Sequence, residues 1–182
     1  MQKTQQKSLL LSSLSAYFAK HQNQRVVLRE IVNGESKISL RVIDWFVTHY
    51  AKAKDVSYWL DGKGRLVETP QGQIDLTRFN LYLEYRTQLN SYKKLHFDPF
   101  RRHERITFIV ETQPEILSIE TTVGQLNFFR WAIQYNVVQY ITNHLRDIET
   151  SMQSNELVDN KKTVKTIKKG LNTESNANKL DE

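Results

Sequence analysis

The side chains best suited to binding an anion lie between Lys93 and Arg105. Phe97 and Phe100 are interleaved with them on either side of Pro99, which restricts the backbone to a turn. Guanidinium groups grip phosphate oxygens and exposed rings stack on bases, so this loop is a candidate site for nucleic acid or another anion. The alternative is structural: the two rings anchor the loop in the core, and the arginines pair with acids of neighbouring strands. The basic and histidine residues of the loop are Lys93, Lys94, His96, Arg101, Arg102, His103 and Arg105.

A second basic cluster lies near the C-terminus. It has five lysines within nine residues and no acid among them, so it could act as an electrostatic arm for phosphates or simply as a solubilising tail. Its members are Lys161, Lys162, Lys165, Lys168 and Lys169.

Catalytic and metal-binding patterns are missing from the sequence. It contains no GxxxxGK[ST], GxGxxG, HExxH or GxSxG stretch. The lack of cysteine excludes disulfides, thiolate zinc sites and cysteine nucleophiles. His96 and Asp98 could form two ligands of a metal, but no third ligand accompanies them. We therefore expect a protein that is not an enzyme, with no cofactor and no metal.

The clearest helical pattern runs from Thr121 to Ser151. Thr122, followed three residues later by Gln125, is typical of a capping box at a helix start. Apolar residues then recur at spacings of three and four, which predicts one buried face along about 45 Å of helix, or two helices broken near Asn136. The candidate core or interface residues are Phe128, Phe129, Trp131 and Ile133 here, and Trp45 and Phe46 in an earlier helix.

Arg130 is surrounded by aromatic residues in the sequence. A buried arginine is rarely left unpaired, so we expect it to point inward, with a carboxylate such as Asp44 as a natural partner.

The remaining pattern predicts the order of elements. Residues 8–20, 40–52 and 78–94 have helical spacing, with Ser39 as the cap of the second helix and Asp75 or Thr77 as the cap of the third. Residues 24–32, 56–60, 65–67, 106–110 and 116–119 are short, partly β-branched runs, and the last two read as a hairpin. Helices and strands without regular alternation favour an α+β fold, with a small antiparallel sheet packed on helices, a long C-terminal amphipathic helix and a disordered tail.

Composition and charge suggest a single basic domain with extensions. We expect a helical segment at residues 1–23, a globular core at 24–151 and a disordered Lys/Asn/Ser-rich tail at 152–182. The net charge of +6 favours an anionic partner such as nucleic acid, an acidic protein surface or lipid head groups. The apolar run of Leu9 to Leu11 is too short for a signal peptide or a membrane span, so a soluble protein is expected.

Three stretches resemble a known family. ISLRVIDWFVTHY at 38–50, FDPFRR at 97–102 and TTVGQLNFFRWAI at 121–133 are similar to recurring blocks of a family of uncharacterised proteins from nucleocytoplasmic large DNA viruses. The resemblance covers about residues 25–150 and omits the N-terminal helix and the tail. Relatives often have cysteine at the position of Arg101, which argues against a thiol or metal role there.

The resemblance implies a viral origin and a role in the virion or its assembly. The first expectation is a non-enzymatic structural or interaction protein, such as a minor capsid or other virion component that bridges larger viral structural proteins. It would reside in the virion, and in the host cytoplasm or viral factory during assembly. The alternative is a DNA- or RNA-binding protein of the viral core or transcription apparatus, which would use the basic loop and the lysine-rich tail.

Overall fold

The computed structural model describes residues 2–72, 75–111 and 116–155 and has an α+β fold, as predicted. The chain divides into two units, Met1–Leu145 and Arg146–Glu182. The first unit contains a three-stranded and a two-stranded antiparallel sheet among its helices. The predicted domain boundaries at residues 23 and 151 stay predictions, and the predicted disordered tail from residue 156 onward lies outside the described residues.

Two helices open the first unit. Helix α1 spans Gln2–Lys20, and buries Leu14 and Phe18, two of its predicted apolar residues. Helix α2 spans Gln22–Val32, so the prediction of a strand at residues 24–32 is wrong. Its β-branched residues suggested a strand, but Leu28 and Ile31 are buried three positions apart, which is a helical spacing.

A nearly continuous helical stretch follows a turn at Asn33 and Gly34. Helix α3 (Leu40–Trp45) leads into a π-helical turn (Phe46–Tyr50) and then helix α4 (Ala51–Ala53). The Ser39 hydroxyl accepts a hydrogen bond from the Val42 amide at 3.2 Å, which confirms the predicted cap.

The three-stranded sheet has the order β2-β1-β3. Strands β1 (Ser57–Leu60) and β2 (Leu66–Val67) form the predicted hairpin, and β3 (Thr77–Asn80) was not predicted. Tyr58 lies opposite Phe79 in the β1–β3 register, and their rings stack 5.1 Å apart, so aromatic packing holds β3 in the sheet. Helix α5 (Leu81–His96) consequently starts later than predicted, and its cap is Asn80, whose side chain accepts from the Leu83 amide.

The second sheet is the predicted hairpin of β4 (Ile106–Glu111) and β5 (Leu117–Thr121). Phe108 lies opposite Ile119, and both side chains are buried. The register shifts between Ile109 and Glu111.

The long helical pattern forms separate helices. Helix α6 (Val123–Gln134) and helix α7 (Val137–Asn143) are broken at Asn136, which has a left-handed φ of 58°. The alternative of a break near Asn136 is therefore the correct one. A further helical run covers residues 145–155.

Helix α6 is the centre of the core. All seven residues from Val123 to Phe129 are buried, so this helix is enclosed on every side rather than on the single predicted face. Tyr58 contributes to the same core, where its hydroxyl donates to the Tyr135 carbonyl at 2.6 Å, and burial raises the pKa of this phenol.

The second unit is described for residues 146–155, which are helical. Side chains of Thr150 and Ser154 each donate to the backbone carbonyl four residues earlier. Within the described residues of the whole chain, no helix combines the length and apolarity needed to cross a membrane.

Candidate functional site

The basic loop between α5 and β4 is anchored in the core by Phe97. This side chain is 1% exposed, and its ring lies 5.3 Å from Phe128 and 5.5 Å from Trp131. Pro99 is also buried, whereas Phe100 is half-buried. The structural alternative for the phenylalanines is therefore correct for Phe97.

Polar groups of α6 hold the backbone of the same loop. The Gln125 amide donates to the Pro99 carbonyl at 2.8 Å, and the Asn127 amide donates to the His96 carbonyl at 2.9 Å. The Gln125 side-chain oxygen accepts from the Thr121 hydroxyl at 2.8 Å instead of closing the predicted capping box, although the Thr122 hydroxyl does accept from the Gln125 backbone amide. The first turns of α6 serve as the platform on which the loop rests.

Gly124 allows the loop to approach the helix closely. A Cβ atom at this position would lie 3.0 Å from the Leu95 carbonyl oxygen and 3.5 Å from the Arg101 side chain. The Asp98 amide donates to the Gly124 carbonyl at 3.2 Å. Asp98 also accepts from the Phe100 amide at 2.8 Å, which fixes the turn.

Three arginines of the loop meet at one cavity. Arg101, Arg102 and Arg105 line a space of about 220 Å³, together with Thr122 and Gln125 at the N-terminus of α6. Among the described residues, none of the three arginines has an ion pair within 4.0 Å, and the two alternatives, anion binding and pairing with neighbouring strands, stay predictions. The arrangement concentrates positive charge beside helix N–H groups, which suits an anion.

Glu120 also lines this cavity and adds one carboxylate to the three arginines. Its carboxylate accepts a hydrogen bond from the Thr107 hydroxyl at 2.6 Å. The other acid of the loop, Glu104, pairs with Lys7 of α1. The hydrogen bond from Lys7 and its positive charge lower the pKa of Glu104.

The other predicted anion-binding residues lie away from the cavity. Lys93 and Lys94 are exposed near the end of α5, where Lys93 has a positive φ of 58°, and His103 is exposed in the loop. None of these three lines the arginine cavity. The lysine cluster at residues 161–169 lies outside the described residues.

His96 and Asp98, considered above as two metal ligands, have no third ligand beside them in the described residues. The described part of the chain holds no group of three or more histidine, aspartate or glutamate side chains arranged around a common point. Burial lowers the pKa of His96 below its usual value.

Of the six predicted core or interface residues, four are buried and two are half-buried. Phe46, Phe128 and Phe129 are 0% exposed and Trp131 is 3% exposed, so these four face the core. Trp45 and Ile133 are half-buried, and the Trp45 indole stacks on His49 at 4.4 Å.

Arg130 does not pair with Asp44 as expected. Its guanidinium donates to the Asn127 side chain at 2.9 Å and to the Tyr92 hydroxyl at 3.4 Å. Asp44 is half-buried, and burial together with the nearby Asp98 charge raises the pKa of its carboxyl. Neutral hydrogen-bond partners therefore take the place of the expected ion pair.

Three exposed apolar residues on the β4–β5 hairpin were missed in the sequence. Ile109 is 50% exposed, Ile116 is 72% exposed and Leu117 is 37% exposed. Because side chains alternate between the two faces of a strand, Ile109 of β4 lies on the face opposite to that of Phe108 and Val110, which are buried. This alternation was the available signal, but the continuous apolar run of ITFIV concealed it.

Comparison with known proteins gives a family and a viral relative. The model of a family of unknown function, DUF7197, matches residues 2–182, including the N-terminal helix and the tail that the sequence resemblance omitted. An uncharacterized protein of Acanthamoeba polyphaga mimivirus is 34% identical over 146 residues, which are 79% of this chain and 52% of the relative. The chain thus spans about half the length of this curated relative. No solved structure matches the chain.

Proposed function

We propose that this chain, which belongs to the family of unknown function DUF7197, is a non-enzymatic structural or interaction protein of a large DNA virus. In this proposal it is a minor capsid or other virion component that bridges larger viral proteins. It joins them in the host cytoplasm or viral factory and remains in the particle. The relative in a mimivirus supports the viral origin.

The observation that carries the proposal is the presence of three exposed apolar residues on the β4–β5 hairpin. Ile109, Ile116 and Leu117 are exposed on a sheet that has two strands within the described residues. Exposed apolar residues beside an uncovered strand edge are a liability for a protein that works alone, because such edges pair with other chains. The same feature stabilises an assembly when a partner covers it.

The test is incorporation of hairpin variants into particles. Ile109→Thr combined with Ile116→Thr keeps β-branched side chains but removes apolar surface, so we expect fewer copies per particle. Leu83→Gln is the matched control, because Leu83 is 63% exposed on α5, far along the chain from the hairpin. Particles are purified from viruses that express each variant, and the copy number is measured by quantitative mass spectrometry. Equal incorporation of hairpin and control variants would contradict the role of this surface.

The arginine cavity supports a second candidate function, binding of DNA or RNA. Arg101, Arg102 and Arg105 have no ion pair within 4.0 Å in the described residues, so their charges are available to phosphates. This function would belong to the viral core or transcription apparatus.

Salt dependence distinguishes this candidate from the first. Arg101→Ala with Arg102→Ala should weaken nucleic-acid binding and reduce the slope of log K against log salt by about 1.8, since each duplex phosphate contact contributes about 0.9. Arg78→Ala with Arg86→Ala is the control, since both side chains are exposed on other elements. An unchanged slope in the loop variant, or no binding by the wild type at low salt, would exclude the candidate.

A further inference from the structure

Strand β4 has one edge paired with β5 and one edge that no strand covers. In the part of the chain that the structure describes, this sheet contains only these two strands. In the described residues, the backbone hydrogen bonds of β4 are those of the β4–β5 ladder, and none comes from a loop or another element. The second edge of β4 therefore presents unpaired backbone donors and acceptors.

Two cavities of about 330 Å³ each lie along this edge. Residues 106–109 line the first, and Val110 and Glu111 line the second. Successive side chains of a strand point to opposite faces, so a cavity lined by four consecutive residues lies against the edge rather than against a face. The two cavities together follow the whole of β4.

Helices α1 and α2 form the opposite wall of this groove. Leu11, Ser15 and Ala19 of α1 recur every four residues and so share one face, where the small serine and alanine leave space. Val26 of α2 continues the wall along the second cavity, and it is 43% exposed. We refer to the space between β4 and these helices as the edge groove.

The edge groove contains an arginine with an unsatisfied donor. Arg25 lines both cavities, and its Nε atom is buried with no hydrogen-bond partner in the described chain. The Nε atom of Arg29, one turn further along α2 and lining the second cavity, is also buried without a hydrogen-bond partner in the described chain. The guanidinium of Arg29 differs from that of Arg25 in having two carboxylates nearby, Glu111 at 3.7 Å and Glu35 at 3.8 Å. A buried guanidinium N–H without an acceptor is costly, and a carboxylate is its best acceptor.

We propose that the edge groove binds an extended segment of a partner protein, which adds a strand to β4 and places an acidic side chain against Arg25. The proposal rests on the proposed function as an interaction protein and names the chemistry of the partner. Backbone hydrogen bonds to the free edge supply the general affinity, and the alternating side chains supply the selectivity. Apolar side chains of the segment contact Leu11 and Val26, on either side of the acid.

Charge argues against a second copy of this chain as the occupant. Two copies that paired through β4 would each bring Arg25, which has no ion pair in the described residues, to the shared interface. Like charges in a desolvated interface oppose association, whereas an acidic segment neutralises them.

The experiment is a selection of random seven-residue peptides displayed on phage, with the full chain as the target. Seven residues are enough to pair with all six residues of β4. Counter-selection uses Ser15→Trp, which fills the groove from an exposed position, and the matched control is Ser13→Trp, at an exposed position that lines neither cavity. We expect enriched peptides with Asp or Glu at one fixed position and apolar residues two positions to either side.

A synthetic copy of an enriched peptide then tests the role of the arginine. Replacing its acid by the corresponding amide should weaken binding about tenfold, as expected for loss of a charge-assisted hydrogen bond. Arg25→Gln should remove this tenfold difference, and Arg86→Gln, on the exposed side of α5, should preserve it. Amide chemical shifts of the labelled wild-type chain should change mainly at residues 106–111.

Three results would overturn the proposal. The first is the absence of peptides that prefer the wild type to Ser15→Trp. The second is enrichment without a fixed acidic position, or chemical-shift changes away from β4. The third is a wild-type dimer that Ser15→Trp, but not Ser13→Trp, converts to a monomer, since a second copy would then occupy the groove.

The proposed function fails separately from this inference. If the chain is absent from particles but selects acidic peptides through the edge groove, the virion role is wrong and the binding site stands. If the chain is present in particles but selects no such peptide, only the edge groove proposal is wrong.

Discussion

Phe129→Ala should be among the most destabilising single substitutions in this chain. The ring of Phe129 is 0% exposed, and it meets the Phe128 ring edge to face with the centroids 5.5 Å apart. Because α6 is enclosed on all sides there, the surroundings cannot easily collapse into the space that the ring leaves. Buried Phe→Ala substitutions typically cost about 3–5 kcal/mol, a large share of the 5–15 kcal/mol that stabilises a domain.

The assay is urea unfolding followed by circular dichroism, with the free energy of unfolding extrapolated to water. Ile133→Ala is the matched comparison on the same helix, because Ile133 is only half-buried and its truncation should cost about 1–2 kcal/mol. A cost below about 1 kcal/mol for Phe129→Ala would refute the placement of α6 at the centre of the core. Equal costs for the two variants would do the same.

Gly124→Ala should lower stability by about 1–2 kcal/mol in thermal unfolding despite the better helix propensity of alanine, because its Cβ would meet the Leu95 carbonyl oxygen at 3.0 Å. A raised melting temperature would show that the loop after α5 can move away from the added methyl group at no cost in stability. Asp44→Asn should stabilise the protein at pH 7, because burial and the Asp98 charge raise the pKa of Asp44 and its ionisation weakens the fold as pH rises through that pKa. The gain should vanish below about pH 3.9, where the unfolded acid is also protonated, and a gain independent of pH would contradict this. For Glu68, burial is outweighed by hydrogen bonds from Asn143 and His144, which lower its pKa. Glu68→Gln should therefore cost up to about 1 kcal/mol at neutral pH, because the carboxylate stabilises the fold above its unfolded pKa and loses this effect as pH falls through its folded pKa. A cost that stays constant down to pH 2 would show that the carboxylate charge is irrelevant.

Local signals in the sequence predicted much of the fold. The Ser39 and Thr122 caps and the hairpin from residue 106 depend on neighbouring residues, and all are present in the structure. The break at Asn136 could be anticipated because asparagine tolerates the left-handed conformation better than most residues do.

The errors arose where tertiary packing overrides local preference. Residues 24–32 contain enough β-branched residues to suggest a strand, but the burial of Leu28 and Ile31 at helical spacing favours a helix. Strand β3 has only four residues, and its pairing with β1 depends on Phe79 stacking on Tyr58, 21 residues away in the sequence.

The candidate sites were predictable to different degrees. The arginine loop was recognisable from composition alone, because its residues are contiguous. Its contact with α6 was not, since Gly124 and Gln125 resemble ordinary residues of a helix start until the loop is placed against them. The edge groove could not be predicted, because it exists only where α1, α2 and the unpaired edge of β4 meet in space.

The most direct test of the central claim is quantitative mass spectrometry of purified virus particles and of infected-cell lysate. Each amount is normalised to a known capsid protein and compared with a viral protein that is not packaged. We predict that this chain is retained in the particles at a constant ratio to capsid through successive purification steps. Abundance in the lysate with loss from the particles would contradict a structural role in the virion.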